Sequence, residues 1–119
     1  MLLNSPTKEK IVWTTHSKEK MRYYGLSDKR VLSIFRKPGR KEEGIALGTV
    51  AAMQPSGTKK HPKEIWMMYQ AVKSTIRGQK FKKIKIISAW RYPGVTPVGE
   101  RPIIPEDILN DLDDIIKNN

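Results

Sequence analysis

Four side chains of types that act on phosphate esters stand out in this chain. His16 can act as a general acid or base, because an unperturbed imidazole titrates near neutral pH. Lys20 follows one helical turn later and could hold a phosphate oxygen. Arg91 could grip a phosphate through two parallel hydrogen bonds, and Tyr92 could donate a proton or stack on a base. Cleaving RNA through its 2′-hydroxyl needs this combination, so we predict these four residues as a catalytic set. The alternative is that His16 only begins a helix and Arg91 is a surface charge.

The charge of the chain is large and unevenly distributed. The 119 residues carry a net charge of +11, with 21 Lys and Arg against 6 Asp and Glu in residues 1–99, and 2 against 6 in residues 100–119. A basic body of this kind attracts polyanions, most commonly nucleic acid. Several of the cations predicted to contact nucleic acid lie in loops that flank strand ends, so they could line one groove. The full set is Lys59, Lys60, Lys63, Lys73, Arg77, Lys80, Lys82, Lys83 and Lys85. The alternative is a lysine coat without a ligand.

Composition and motifs exclude several other classes. The chain contains no cysteine, so disulfides, thiolate nucleophiles and cysteine-ligated zinc are excluded. Neither of the two histidines has a carboxylate cluster nearby, and neither a glycine-rich phosphate loop nor a GxSxG motif occurs, so we predict no metal and no cofactor. No apolar run reaches the roughly 20 residues of a membrane span, and the start does not resemble a signal peptide. These features predict a cytoplasmic protein.

The elements that must position the catalytic set are predicted from capping residues and apolar spacing. Residues 1–10 look like a loose lead-in, and residues 11–14 a short strand or extended cap. A first helix is predicted from Ser17 to Tyr24, where Gly25 ends it. Ser27 caps a second helix. The apolar residues of this second helix share one face: Val31, Ile34 and Phe35.

Three strands are predicted after the second helix. Strands are predicted at residues 45–53, 65–72 and 84–91, with Trp66 and Trp90 in the core and basic loops at 54–63 and 73–82.

Prolines make residues 93–105 an extended arm, and residues 106–117 form an amphipathic helix. Two roles for this helix stay open. Its apolar stripe could pack on the sheet: Ile108, Leu109, Leu112, Ile115 and Ile116. Alternatively, its acids could fold over the basic groove and compete with RNA: Asp107, Asp111, Asp113 and Asp114.

A short pattern in the first helix carries a family resemblance. It consists of His16, Ser17, Lys20, Met21, Tyr24, Gly25, Leu26 and Ser27. Together with the order of helices and strands over residues 11–92, this pattern resembles the RelE/ParE toxin superfamily, and most closely its small His-led domains related to the BrnT toxins. In this chain a lysine and a tyrosine replace the two arginines of the pattern.

The resemblance implies an α+β fold in which two N-terminal helices pack on a three- to four-stranded antiparallel sheet. It also implies a toxin of a toxin–antitoxin pair, a metal-independent endoribonuclease that acts on mRNA, with RNA and an acidic antitoxin-like protein as partners. Two alternatives stay open. The protein could be a non-catalytic RNA-binding or ribosome-associated module, or an interaction domain for an acidic partner.

Overall fold

Three helices and a five-stranded sheet make up the part of the chain that the structure describes. The computed structural model describes the backbone of residues 6–117 and the side chains of residues 6–111. The elements are β1 (Lys8–Trp13), α1 (Thr15–Tyr24), α2 (Asp28–Arg36), β2 (Arg40–Glu43), β3 (Thr49–Gly57), β4 (Pro62–Ile76), β5 (Gln79–Tyr92) and α3 (Glu106–Lys117). The strands are ordered β1-β5-β4-β3-β2. The α+β class is confirmed, but the predicted three- to four-stranded antiparallel sheet is wrong, because β1 pairs parallel to β5.

The edge strand β1 begins within the predicted lead-in. Its residues Lys8 to Trp13 pair with Phe81 to Ile86 of β5, and Gln79 Nε2 donates a hydrogen bond to the Pro6 carbonyl at 2.9 Å. The prediction that residues 8–10 are loose is therefore wrong. Their charged sequence has little strand character of its own, and the hydrogen-bonding partner that makes them a strand lies more than 70 residues away.

The hairpin of β4 and β5 is longer than predicted. Arg77 and Gly78 both have positive φ angles, 50° and 79°, which is the geometry of a two-residue hairpin turn that continues the strand twist. The predicted loop at 73–82 is therefore wrong, since its residues are paired from Lys73 to Lys82. The predicted loop at 54–63 also shrinks to residues 58–61, because β3 and β4 extend into it, and the charged edge strand β2 was not predicted.

Capping side chains set the helix boundaries. The Thr14 hydroxyl, not that of Ser17, accepts the capping hydrogen bond of α1 from the Ser17 N–H at 3.0 Å, and it donates to the Ile86 carbonyl of β5 at 2.9 Å. Gly25 ends α1 with a φ of 66°, and Ser27 caps α2 as predicted. The cap therefore also joins the start of α1 to the middle of β5.

The sheet carries an apolar layer on each face. The first layer lies between the sheet and the helices α1 and α2, and side chains from both sides contribute to it: Met21, Leu26, Val31, Ile34, Ala52, Ile65, Met67, Tyr69, Ile84, Ile86 and Ala89. The second layer packs under the C-terminal segment: Ala51, Met53, Trp66, Met68, Ile87, Trp90, Ile104 and Ile108. Trp66 and Trp90 are fully buried and stack with ring centroids 6.3 Å apart, which confirms that both belong to the core.

A buried carboxylate holds the proline-rich arm against the sheet. Glu64 Oε1 accepts hydrogen bonds from the Thr96 N–H (3.1 Å), the Thr96 hydroxyl (2.7 Å) and the Trp66 indole (2.9 Å). Arg40 donates to the Thr96 carbonyl at 3.1 Å and to its hydroxyl, and its guanidinium lies over the Trp66 ring. The proline-rich arm is therefore fixed near residue 96, ten residues before the start of α3.

Candidate nucleic-acid interface

His16, the predicted general acid or base, is almost completely buried. Its side chain is 9% exposed. Its Nε2 is hydrogen-bonded to the Ser88 hydroxyl of β5 at 3.1 Å, and its Nδ1 lies 3.9 Å from a carboxylate oxygen of Asp111 on α3. Burial, and secondarily the Lys20 charge, lower the pKa of His16 below its ordinary value of 6.5. The imidazole is therefore neutral at neutral pH, and both of its nitrogens face protein groups.

Lys20 faces an acid of the C-terminal helix. Its Nζ donates to Asp107 at 2.7 Å, and the Tyr24 hydroxyl donates to the other oxygen of the same carboxylate at 3.2 Å. The Lys20 hydrogen bond is the main interaction that lowers the pKa of Asp107, against the opposing effect of burial. Burial, with a further contribution from Asp107, raises the pKa of Tyr24 to about 12. The cation predicted to hold a phosphate is therefore already paired.

Arg91 and Tyr92 lie at the other end of α1 from His16. The Arg91 guanidinium donates to the carbonyls of Tyr24 (2.7 Å) and Gly25 (3.3 Å). It therefore supplies hydrogen-bond donors to carbonyl groups at the C-terminal end of α1. Tyr92 packs partly buried against the second apolar layer. Since His16 and Tyr24 are eight residues apart on α1, about 12 Å separates the two ends. The four predicted catalytic residues therefore do not surround one phosphate-sized space.

The C-terminal helix packs on the body of the protein. Ile108 is fully buried in the second apolar layer, whereas Leu109 is 43% exposed. Asp107 and Asp111 contact α1 and no lysine of the predicted groove. The packing alternative is confirmed for Ile108 only, because Leu109 is partly exposed and the two acids cover the polar face of α1. The other side chains named for this helix lie outside the described residues: Leu112, Asp113, Asp114, Ile115 and Ile116.

The two groups of predicted nucleic-acid-binding cations lie at opposite ends of the β4–β5 hairpin. Lys59 and Lys60 lie in the turn before β4, and Lys63 at its start. Arg77 lies in the turn after it, and the strand between them spans about 46 Å. The expectation that both groups line one groove is therefore wrong, because what looked like two neighbouring loops is a pair of long strands.

A large part of the net positive charge is concentrated at one end of the hairpin. We call residues 8–10 of β1 and residues 71–85 of β4 and β5 the basic arm. Its 18 residues include eight Lys and Arg and one acid, a net charge of +7 out of the total of +11. Residues 71–76 are all exposed, since the helices and β3 end before them. The cations are Lys8, Lys10, Lys73, Arg77, Lys80, Lys82, Lys83 and Lys85.

Strand alternation divides the basic arm into two faces. Ile11 and Ile84 belong to the apolar layer under the helices, so Glu9 and Lys82, two positions further out, lie on that same helix side. Glu9 accepts a 2.8 Å hydrogen bond from Arg36 of α2. The residues in between point the opposite way, to what we call the open face: Lys8, Lys10, Val72, Ser74, Phe81, Lys83 and Lys85.

A cleft of about 420 Å³ lies along the open face. Phe81 and Val72 line it as apolar groups, and Lys8, Lys10 and Lys83 surround them, with Glu9, Ser74 and Lys82 completing the lining. Lys10 and Lys83 are direct cross-strand neighbours, and burial together with the Lys83 charge lowers the pKa of Lys85 in the next row. The open face thus presents two apolar side chains, Phe81 and Val72, with several lysines around them.

Lys8 and Lys10 are site residues that the sequence predictions missed. They lie on β1, which reaches the basic arm only through its parallel pairing with β5. Their lysine–glutamate–lysine alternation was the one available signal, because it places both lysines on one face of a strand.

Metal and membrane features are absent from the described part of the chain. Among residues 6–111, no group of three or more His, Asp or Glu side chains could hold a metal ion. None of the helices that the structure describes is long and apolar enough to cross a membrane.

Comparisons with known proteins add no relative. No model of a protein family matches this chain, and neither a curated protein nor a solved structure matches it significantly.

Proposed function

We propose that this protein is an RNA-binding module that holds RNA on its basic arm. The observation that carries the proposal is the pairing of lysines across neighbouring strands: Lys10 lies opposite Lys83, and Lys73 lies opposite Lys82. Neighbouring strands are about 4.8 Å apart, and like charges directly opposite one another destabilise a sheet. A polyanion bound along the arm would turn this repulsion into attraction.

The form of the arm supports the same proposal. It projects beyond the helices, and it holds most of the excess charge in a molecule whose longest dimension is 56 Å. Lysines on a regular strand recur at a spacing of about 7 Å on one face, which suits the repeated charge of a phosphate backbone. An RNA ligand also fits the cytoplasmic location expected from the sequence.

RNA cleavage is the second candidate function, because the RelE/ParE resemblance implies it. The observation that favours it is the neutral imidazole of His16 near Lys20 on α1, since a neutral imidazole can accept a proton. Asp107 and Asp111 cover both side chains, so cleavage would require α3 to move away. A toxin role with an acidic antitoxin-like partner remains a prediction of this second candidate.

Fluorescence anisotropy of a labelled RNA, titrated at several salt concentrations, tests the binding proposal. We expect the wild type to bind with an affinity that falls as salt rises, because phosphate contacts release counterions. Replacing Lys10 and Lys83 by Gln should weaken binding and reduce the slope of log affinity against log salt by about 1.4, at roughly 0.7 per phosphate contact on a single strand. The matched control is the exposed pair Lys29→Gln and Lys41→Gln.

Two outcomes would overturn the binding proposal. One is the absence of salt-sensitive RNA binding by the wild type, and the other is equal losses in the Lys10/Lys83 variant and the control pair. Incubating labelled mRNA, free and on ribosomes, with wild type, His16→Ala and Arg91→Ala separates the two candidate functions. Cutting that His16→Ala abolishes while RNA affinity persists would favour the nuclease, and intact RNA with all three proteins would favour the binding module.

A further inference from the structure

The open face of the basic arm contains an aromatic side chain among its lysines. Phe81 is partly exposed, and its strand neighbours on the two sides are Lys8 and Ser74. In the next row, Lys10, Lys83 and Val72 lie side by side. A phenylalanine in such a position does not contribute to either apolar layer of the fold, because both layers end before it.

The helix side of the same arm differs in its electrostatics. A cleft of about 540 Å³ lies on the arm there, and Glu9, Lys73, Lys80 and Lys82 contribute to its lining. Phe81 and Ser74 border this cleft as well as the one on the open face. Glu9 lies next to Lys82 in the pairing and is also bonded to Arg36. By strand alternation the Glu9 side chain points to the helix side, so an anion there would meet its carboxylate directly. Glu9 also borders the cleft on the open face, but no acidic side chain among the described residues points to that face.

A surface on which Phe81 and Val72 lie among lysines fits an unpaired nucleotide better than a duplex. In double-stranded RNA the flat faces of the bases are stacked on each other, so a protein reaches mainly phosphates and hydroxyls. In a single strand the bases are free to stack on an aromatic ring while the phosphates follow a basic groove. Lysines alone would suit both forms of RNA. Phe81 and Val72, which lie among these lysines, can contact the flat face of a base only when that base is unpaired and exposed.

We propose that the open face binds a single-stranded segment of RNA, with a base against Phe81 and the adjoining phosphates against Lys10 and Lys83. This inference rests on the proposed function and specifies its ligand. The base is held by contact with the ring and with Val72, and the phosphates lie between lysines whose mutual repulsion they relieve. Since base stacking tolerates every sequence, binding is expected to depend little on which base is present.

The test compares a labelled, unstructured RNA strand with a duplex of the same length, using full-length protein and anisotropy. We expect the wild type to bind the single strand more tightly than the duplex. Phe81→Leu keeps an apolar side chain but removes the ring, and it should weaken single-strand binding at least about fivefold, the lower bound for one stacked base. It should leave duplex affinity unchanged. Val95→Leu, at an exposed apolar position outside the basic arm, is the matched control.

The outcomes separate this inference from the function on which it rests. If the wild type binds neither RNA, the proposed function fails. If it binds with a salt dependence that Lys10→Gln and Lys83→Gln reduce, but Phe81→Leu binds the single strand as the wild type does, only the inference fails. A preference for duplex RNA, or equal competition by polyglutamate, would also overturn it. Circular dichroism spectra that match the wild type show that Phe81→Leu has folded.

Discussion

Removing the buried carboxylate of Glu64 should both destabilise the protein and release the proline-rich arm, residues 93–105, from the sheet. Glu64 is 2% exposed, and its Oε1 accepts all three hydrogen bonds from Trp66 and Thr96. In Glu64→Ala three donors lose their acceptor, at a cost of roughly 1–3 kcal/mol for each donor left unsatisfied. Because water can reach part of the opened space, we expect a total loss of about 3–5 kcal/mol in the free energy of unfolding.

Glu64→Gln is the comparison that isolates the charge. The amide oxygen can accept the same hydrogen bonds, so only their charge-assisted part is lost, and we expect a cost of about 1 kcal/mol. Urea denaturation followed by tryptophan fluorescence measures both values, since Trp66 belongs to the network. Limited proteolysis should cut Glu64→Ala first between residues 93 and 105, the segment that the Thr96 contacts hold.

The control for this prediction is an acid of similar chemistry at the surface. Glu43→Ala removes a carboxylate that is 77% exposed and 3.5 Å from Arg101, and it should change stability by less than about 0.5 kcal/mol. Equal losses in Glu64→Ala and Glu64→Gln, or a loss in Glu64→Ala no larger than that of the control, would refute the reasoning that three buried donors depend on this one oxygen.

Three further predictions concern a histidine, a tyrosine and two glycines. Burial lowers the pKa of His16, so the unfolded chain takes up a proton at higher pH than the fold does. The free energy of unfolding should therefore fall as the pH decreases below about 6.5, and less so in His16→Gln, in urea denaturation at several pH values. Asp107→Asn should lower the pKa of Tyr24 from about 12 toward 10.0 without reaching it, because burial is the larger cause; NMR of the tyrosine ring measures this. Gly25→Ala places a Cβ in open space at a φ of 66° and should lower the free energy of unfolding by about 1–2 kcal/mol. Gly57→Ala should lower it more, because its Cβ would also collide with the backbone carbonyl oxygen of residue 61.

Each of these predictions has a contrary result. Identical pH dependence of stability in wild type and His16→Gln would show that burial does not disfavour the charged imidazole. A Tyr24 pKa that stays at its wild-type value in Asp107→Asn would remove the role assigned to that carboxylate. Urea midpoints that fall equally in Gly25→Ala and Gly57→Ala would mean that backbone conformation alone, without the close contact, sets the cost.

Local features of this protein could be predicted from the sequence because they depend on neighbouring residues. Gly25 and Ser27 end one helix and begin the next through contacts within a few residues. Val31 and Ile34 lie on one helical face because the helical repeat places them there. The apolar runs of β4 and β5 predict buried strands, and the net charge of +11 requires no knowledge of the fold.

The candidate site depended on pairings between distant parts of the chain. Lys10 meets Lys83 only because β1 adds to β5 in parallel, and Lys20 meets Asp107 across 87 positions of sequence. Residues such as these carry no local signal of their partners, because charged side chains fit a strand, a helix or a loop equally well until packing selects one. The sequence by itself therefore determined the composition, the caps and the core faces of the elements. The tertiary structure decided which charges lie together, because burial of the two apolar layers sets the strand order that brings them there.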